Sequence, residues 1–217
     1  MFGMKGIYFE EFKNSYIPHI LKEIYIEQVY KPYLEDKKDL TILDIGANIG
    51  LFSMYAYDYA KRIITVEPSV EHFKTLNYNI TKNKLDDKVT TVQKAIAHYD
   101  GTTVFYHSSN KTMFSMKKEV SDNGIKEEVE TITLEKLFED NNIKHVDFMK
   151  LDIEGTEHEV VGSAGFQNVA DKIDTMMVEW HQWSGYNPDQ LVTTLRDYGF
   201  VVKQIPADAT LFLATRI

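Results

Sequence analysis

"LDIGANIG" (43–50) is the stretch that decides the fold of this chain. It closes a short apolar run, "LTILDIG" (40–46), and opens a segment with helical character, "NIGLFSMYAYDYAK" (48–61). A buried strand followed at once by a helix, with glycines at the junction, is the first unit of a doubly wound α/β sheet. Ligands of such sheets bind at the carboxyl ends of the strands, near the point where strand order reverses. Glycine lets the backbone come close to a ligand, and a helix N-terminus favours a negative group. A tight turn with nothing bound is the competing reading of these residues taken alone.

Two neighbouring acids narrow the choice. Asp44 stands before the first glycine, where a pyrophosphate would be repelled and a sulfonium or ammonium tolerated. The glycines run G-x-x-x-G, so the dinucleotide fingerprint G-x-G-x-x-G is absent. Glu67 closes the next strand, "RIITVEP" (62–68), and an acid at that place accepts hydrogen bonds from ribose hydroxyls. Turn and acid together point to a nucleoside site, with the phosphate reading the weaker.

Outward from this turn the alternation continues. "SVEHFKTLNYNITKN" (69–83) reads as a helix with Ser69 as N-cap, and "VTTVQKAIA" (89–97) as a third strand. "GTTVFYHSS" (101–109) and "EEVETITL" (127–134) break the pattern as antiparallel strands of an excursion. The polar loop between them, with Met113, Phe114 and Met116 interleaved, is expected to be a lid that selects the acceptor. A helix, the strand "VDFMKLDI" (146–153), a short helix and the strand "KIDTMMVEWH" (172–181) follow. The helix "PDQLVTTLRDYGF" then precedes "VVKQI" (201–205) and "TLFLATR" (210–216), joined closely enough for a hairpin. Ahead of the sheet, "IPHILKEIYIEQVY" (17–30) is an amphipathic helix with Pro18 in its first turn and Pro32 as its stop. Residues 1–39 are therefore expected to form a helical cap, and 40–217 the main domain.

Composition bounds the rest. The 217 residues are 43% hydrophobic and 26% charged, with a net charge of −9, which argues against a general phosphate-backbone binder. The absence of cysteine excludes disulfides, thiolate metal sites and a cysteine nucleophile, and fits a reducing cytoplasm. No signal peptide and no membrane-spanning run is read from the sequence.

"LDIGANIGLFSMYA", "ITVEPS", "VETITLEKLFEDNNIKHVDFMKLDIEGTEHEVVGSA" and "MMVEWH" resemble the successive motifs of FkbM-type S-adenosylmethionine-dependent methyltransferases, in register over roughly residues 40–185. "KLDIEGTE" is the most specific of them. The resemblance implies a class I methyltransferase fold: a doubly wound, seven-stranded, mostly parallel sheet whose last strand is antiparallel. It implies O-methylation, often of sugars, glycosylated molecules or secondary metabolites. Carried over by position, Asp44, Gly46, Asn48 and Gly50 would line the methionine end of the cofactor. Glu67 would bind the ribose, Pro68 and Ser69 would shape the adenine pocket, and Ala95 would contact adenine. Asp152 would face the methyl group and the amino acid moiety.

Methyl transfer needs alignment of nucleophile and methyl carbon, and for a hydroxyl acceptor a proton acceptor too. Asp152 and Glu154 end one strand, Glu179 and His181 end its expected neighbour, and His181 is the preferred general base. Glu157 reads as a helix-dipole residue, and Lys150 as an ion-pair partner. These groups also offer oxygen and nitrogen ligands for a divalent ion, but no compact ligand spacing is visible and a metal is not favoured. Trp183 offers a surface for stacking on a sugar ring, and Trp180 reads as core. The N-terminal helix, with Tyr25, Tyr30 and Tyr33, would roof the cofactor or form a homodimer contact. A saccharide or related small molecule is the expected acceptor. RNA or protein methylation, a nucleoside-binding module without turnover and, more distantly, a nicotinamide oxidoreductase are the alternatives.

Overall fold

β1 (Leu40–Ile45) lies at the centre of the molecule and shows why the chain folds in layers. All six of its residues are buried, and their side chains alternate between two apolar layers. Leu43 and Ile45 join one cluster, Leu40 and Ile42 the other. A strand covered on both faces must be apolar throughout, so it reads as a continuous run rather than an alternating one.

The computed structural model describes residues 6–8, 16–107, 114–116, 125–206 and 208–216. After β1 come β2 (Ala60–Val66) and β3 (Val89–Val92). An excursion follows: β4 (Ala95–Ile96), β5 (Gly101–His107), β6 (Phe114–Ser115) and β7 (Lys126–Ile132). The main alternation resumes with β8 (Phe148–Leu151) and β9 (Thr175–Glu179), then the hairpin β10 (Phe200–Ile205) and β11 (Asp208–Arg216). The principal sheet has seven strands in the order β10-β11-β9-β8-β1-β2-β3. β11 runs antiparallel to both neighbours, and the other pairings are parallel. This is the expected seven-stranded sheet with its antiparallel last strand. The order reverses between β1 and β8, which puts the switch point beside the 43–50 turn.

Helices cover both faces. α1 (Ile17–Leu21) widens into a π-helical stretch, Lys22–Glu27, and α2 (Lys31–Leu34) follows. With α3 (Leu51–Ala56) and α4 (Val70–Lys82) they pack on the face that carries Leu40 and Ile42. α5 (Leu134–Asp140), α6 (Glu157–Val161) and α8 (Pro188–Asp197) cover the opposite face, with α7 (Ala164–Gln167) between α6 and β9. Among the described residues no helix is long and apolar enough to cross a membrane.

Beyond small shifts at strand ends, three elements differ from the sequence reading. The 89–97 strand is two: β3 ends at Val92, and β4 pairs instead with β7 in a second sheet ordered β4-β7-β5-β6. β5 and β7 are antiparallel, as read. Pro32 starts α2 rather than stopping the first helix, which ends at the left-handed Gln28 (φ 55°). The helix read over 48–61 is shorter, because Gly50 caps α3 and β2 already begins at Ala60. Residue 113 and the rest of the proposed lid at 108–113 and 117–124 lie outside the described residues.

Candidate active site

The 43–50 turn works because β1 and β8 are adjacent strands. Gly46 has φ +78°, and a Cβ added there would lie 1.6 Å from the Asp152 carbonyl oxygen. The amides of Gly46 and Ala47 both donate to the Val66 carbonyl, at 2.9 and 3.0 Å, pinning the turn to β2. Asn48 is left-handed too (φ 52°), and its own Oδ1 accepts from the Ile49 amide at 2.8 Å. That local bond is why asparagine tolerates a conformation otherwise left to glycine. Glu67 closes the loop: its carboxylate accepts from the Asn48 amide at 2.8 Å and the Ser69 amide at 2.9 Å. Burial raises the Glu67 pKa to about 7, against the pull of those two amides.

Two clefts open over the strand ends. The first, of about 530 Å³, is walled by apolar side chains (Val66, Pro68, Ala95, Ile96, Phe105, Met116) with Glu67, His72 and Lys94 among its polar positions. The second, of about 1270 Å³, lies between the strand ends and the N-terminal helix, and carries Tyr16, Glu23, Tyr30, Glu179, His181 and Trp183. Gly46, Asn48, Asp152 and Glu154 belong to both.

Of the residues singled out in the sequence, Gly46, Asn48, Glu67, Pro68, Ala95, Asp152, Glu154, Glu179 and His181 line one cleft or both. Three stand behind the walls. Gly50 caps α3, and a Cβ there would meet Leu76 Cδ1 at 2.5 Å, so its smallness serves packing. The Ser69 hydroxyl caps α4 by accepting from the His72 amide. Asp44 is fully buried; Oδ2 accepts from the Ser53 hydroxyl at 2.6 Å, while Oδ1 has no hydrogen-bond partner. Burial raises its pKa, with Lys150 opposing.

The shared wall is densely charged. Lys150 donates to Asp152 Oδ2 at 2.9 Å and to the Gly46 carbonyl at 3.1 Å. Burial works against its ammonium, but Asp152 and Asp44 outweigh burial and hold its pKa above the ordinary lysine value. Burial would likewise raise Asp152, yet Lys150 and His181 hold its pKa below the usual carboxylate range. Glu154, in a left-handed turn residue, is raised by burial to about 8. Glu179 is also raised by burial, well above the ordinary value. His181 Nε2 faces Glu154 at 3.4 Å, Asp152 at 3.7 Å and Glu179 at 3.9 Å, and Nδ1 lies 3.1 Å from Glu157. Burial disfavours the imidazolium, but Glu157, then Glu154 and Asp152, raise its pKa to about 10.

Asp152, Glu157 and His181 bring nitrogen and oxygen atoms within 4.8 Å of one another. Each already has a partner: Asp152 binds Lys150, and Glu157 Oε1 takes two backbone amides and His181. Charge pairing accounts for the cluster. A second group, His145 with Asp147 and Asp174, lies toward the start of β8 and β9, where His145 Nε2 stands 3.6 Å and 3.0 Å from the two carboxylates.

The FkbM methyltransferase domain matches residues 44–202, which include the whole charged wall. The chain belongs to the FkbM methyltransferase family. It is 27% identical over 221 residues to the methyltransferase sdnD of Sordaria araneosa, covering 87% of this chain and 84% of that protein. Among solved structures, an FkbM methyltransferase from Methylobacillus flagellatus KT superimposes with a TM-score of 0.56 at 15% identity, over 84% of this chain and 44% of that one. A precorrin-6y C5,15-methyltransferase from Geobacter metallireducens GS-15 gives 0.52 at 14% identity, with 88% of each chain covered. At such identities these structures speak for the class I methyltransferase fold alone.

Within this FkbM methyltransferase, two residues that matter to the site, Glu23 and Ser115, escaped the sequence reading, and the role of a third, Glu157, was read differently. Glu23 enters the second cleft from the N-terminal helix, and burial raises its pKa to about 7. Ser115 is buried in β6 and donates to the Glu154 carbonyl at 2.6 Å, tying the excursion to the strand-end turn. Glu157 is buried against His181 rather than serving only the helix dipole. Of the three, only Glu157 carried a signal, its place within "KLDIEGTE". Of the two tryptophans, Trp180 packs against the core and donates to the Tyr186 carbonyl at 3.0 Å, while Trp183 lines the second cleft.

Proposed function

We propose that this methyltransferase uses S-adenosylmethionine to methylate a hydroxyl of a saccharide or related small molecule held in the larger cleft. The observation that carries the reading is the common wall: two clefts of different character meet at Gly46, Asn48, Asp152 and Glu154. Away from that wall the smaller is lined mainly by apolar side chains with Glu67 as its buried acid, suited to an adenine ring and its ribose, and Glu67 is the hydroxyl acceptor there. The wall itself fits the other half of that cofactor: Asp152 keeps an ionised carboxylate, suited to cationic groups. S-Adenosylmethionine, when bound, supplies a methyl group on a sulfonium, which a nucleophile takes by direct displacement.

The chain's own residues supply alignment and the proton acceptor. Trp183 and Tyr30 give the larger cleft aromatic surface, and its carboxylates accept hydrogen bonds from acceptor hydroxyls. The sequence made His181 the base. With a pKa raised to about 10 its ring already carries the proton at neutral pH, so we assign that duty to Asp152, whose carboxylate Lys150 and His181 keep ionised. The His181 imidazolium balances the charge of its neighbours. The acidic lining and the net charge of −9 oppose a phosphate backbone, so nucleic acid is not the acceptor in this reading. Cytoplasmic placement belongs to the same proposal and rests on the cysteine-free composition.

The test is thermal unfolding with S-adenosylhomocysteine, S-adenosylmethionine and NAD in parallel. A ligand at about a hundred times its Kd adds roughly 2.7 kcal/mol if it binds only the folded state. Stabilisation by the two sulfur nucleosides, lost in Glu67→Ala, is the expected result. Stabilisation by NAD alone, or by none of the three, overturns the cofactor assignment. An acceptor screen with labelled S-adenosylmethionine then tests the hydroxyl class.

A further inference from the structure

The turn that follows β8 is unusual in its backbone. Glu154 and Gly155 are both left-handed, at φ 54° and 92°, so two consecutive residues reverse the chain directly beneath the charged wall. Such a turn leaves amides without a strand or helix partner. Glu157, the first residue of α6, supplies one: its Oε1 accepts from the Ile153 amide at 2.9 Å and the Gly155 amide at 3.2 Å. The same oxygen lies 3.1 Å from His181 Nδ1, on the segment after β9. Glu157 is only 3% exposed, so this carboxylate sits on three donors out of reach of bulk water.

We propose that Glu157 is the positioning residue of the site, its buried carboxylate joining the 153–155 turn and His181 into one unit and directing His181 Nε2 at Asp152, Glu154 and Glu179. With Nδ1 held by Glu157, the ring has one orientation, and Nε2 is the nitrogen that faces the wall shared by the two clefts. This is the orienting logic by which a buried carboxylate fixes the tautomer and rotation of a working histidine. It also fixes where Glu154 points, because the amide after Glu154 is one of the three donors. Close contact reinforces the unit: a Cβ on Gly155 would lie 2.8 Å from Trp183 Cη2, so turn and tryptophan are already in van der Waals contact. Glu157 acts through His181 and the turn, and touches neither cleft.

The purpose of this unit rests on the methyl-transfer reading, but its test does not. The groups that face the His181 ring are Asp152 and Glu154 after β8, Glu179 on β9 and Glu157 on α6, with Lys150 behind Asp152. Histidine-selective ¹⁵N NMR on the full chain without ligand reads the ring directly. His181 is identified as the resonance absent from His181→Gln. In the wild type its titration midpoint is expected well above the ordinary histidine value of about 6.5. Glu157→Gln keeps an oxygen for the amides and removes the charge, and the midpoint should fall by at least about one pH unit, in line with loss of an opposite charge at contact distance. The Kd of S-adenosylhomocysteine is measured calorimetrically on the wild type alone. A wild-type His181 that titrates near the ordinary value of about 6.5 overturns the proposal without any variant. A midpoint unmoved in Glu157→Gln overturns it too. Failure of the wild type to bind S-adenosylhomocysteine would instead sink the cofactor reading and leave the NMR result standing.

Discussion

Gly46→Ala is the substitution on which the geometry of the turn stands or falls. An alanine there must adopt φ +78°, which costs an L-residue about 1–2 kcal/mol. Loss of glycine's freedom in the unfolded chain returns about 0.4–1 kcal/mol. The larger effect is steric. The new Cβ would sit 1.6 Å from the Asp152 carbonyl oxygen, where real contacts do not fall below 3.0 Å. That oxygen is backbone, one residue beyond β8, so relief requires β1 and β8 to separate where the Asp152 amide donates to Ile45 at 3.1 Å. Overpacking costs about 1–3 kcal/mol and a weakened hydrogen bond about 1 kcal/mol, for a net loss of about 2–5 kcal/mol. Gly185→Ala is the internal control: it has nearly the same φ (+80°), and nothing lies within 4 Å of its added Cβ. It should lose only the conformational part, about 1 kcal/mol or less after the unfolded-state gain. Urea denaturation measures both stabilities, and calorimetry measures S-adenosylhomocysteine binding, which Gly46→Ala should weaken at least tenfold and Gly185→Ala leave alone. If the two variants differ in stability by less than about 0.5 kcal/mol, a threshold set by the usual scatter of surface substitutions, the close approach of β1 and β8 is not what requires glycine.

Two further outcomes follow from the charged wall. Glu23 and Glu67 are raised to about 7, Glu154 to about 8 and His181 to about 10, so the folded chain keeps protons that the unfolded chain releases. Stability from such groups is complete below their unfolded values, roughly pH 4.3 for glutamate and 6.5 for histidine, and is lost as pH rises through the folded ones. The urea midpoint of the ligand-free protein should therefore fall steadily from pH 5 to pH 9, and a midpoint that rises over that range contradicts the assignment. Lys150→Met should destabilise by about 3–5 kcal/mol, because it leaves Asp152 and Asp44 buried without their cation. Equal stability of variant and wild type would show that Lys150 does not hold these carboxylates.

The sequence by itself determined the architecture. β1 announces itself as a continuous apolar run because both its faces are covered, and the strand–turn–helix rhythm around 43–50 follows from local propensity and glycine placement. It also put Gly46, Asn48, Glu67, Asp152, Glu154, Glu179 and His181 at strand ends, and parallel neighbours carry their carboxyl ends to one side. Local signals failed where partners are remote in the chain. Whether 89–97 is one strand or two depends on β7, which competes for its second half. Whether Pro32 stops a helix or starts one depends on Gln28 taking a left-handed turn first. Gly50 looks like a ligand-turn residue in sequence, yet only the packing of Leu76 reveals its use. The protonation of the site was least legible of all. His181 as an isolated residue has the pKa of a neutral-pH base, but four carboxylates from β8, α6 and β9 converge on it only after folding. Charge interactions depend on distance and burial, which adjacency in sequence does not encode, so the tertiary structure alone decided which group holds the proton.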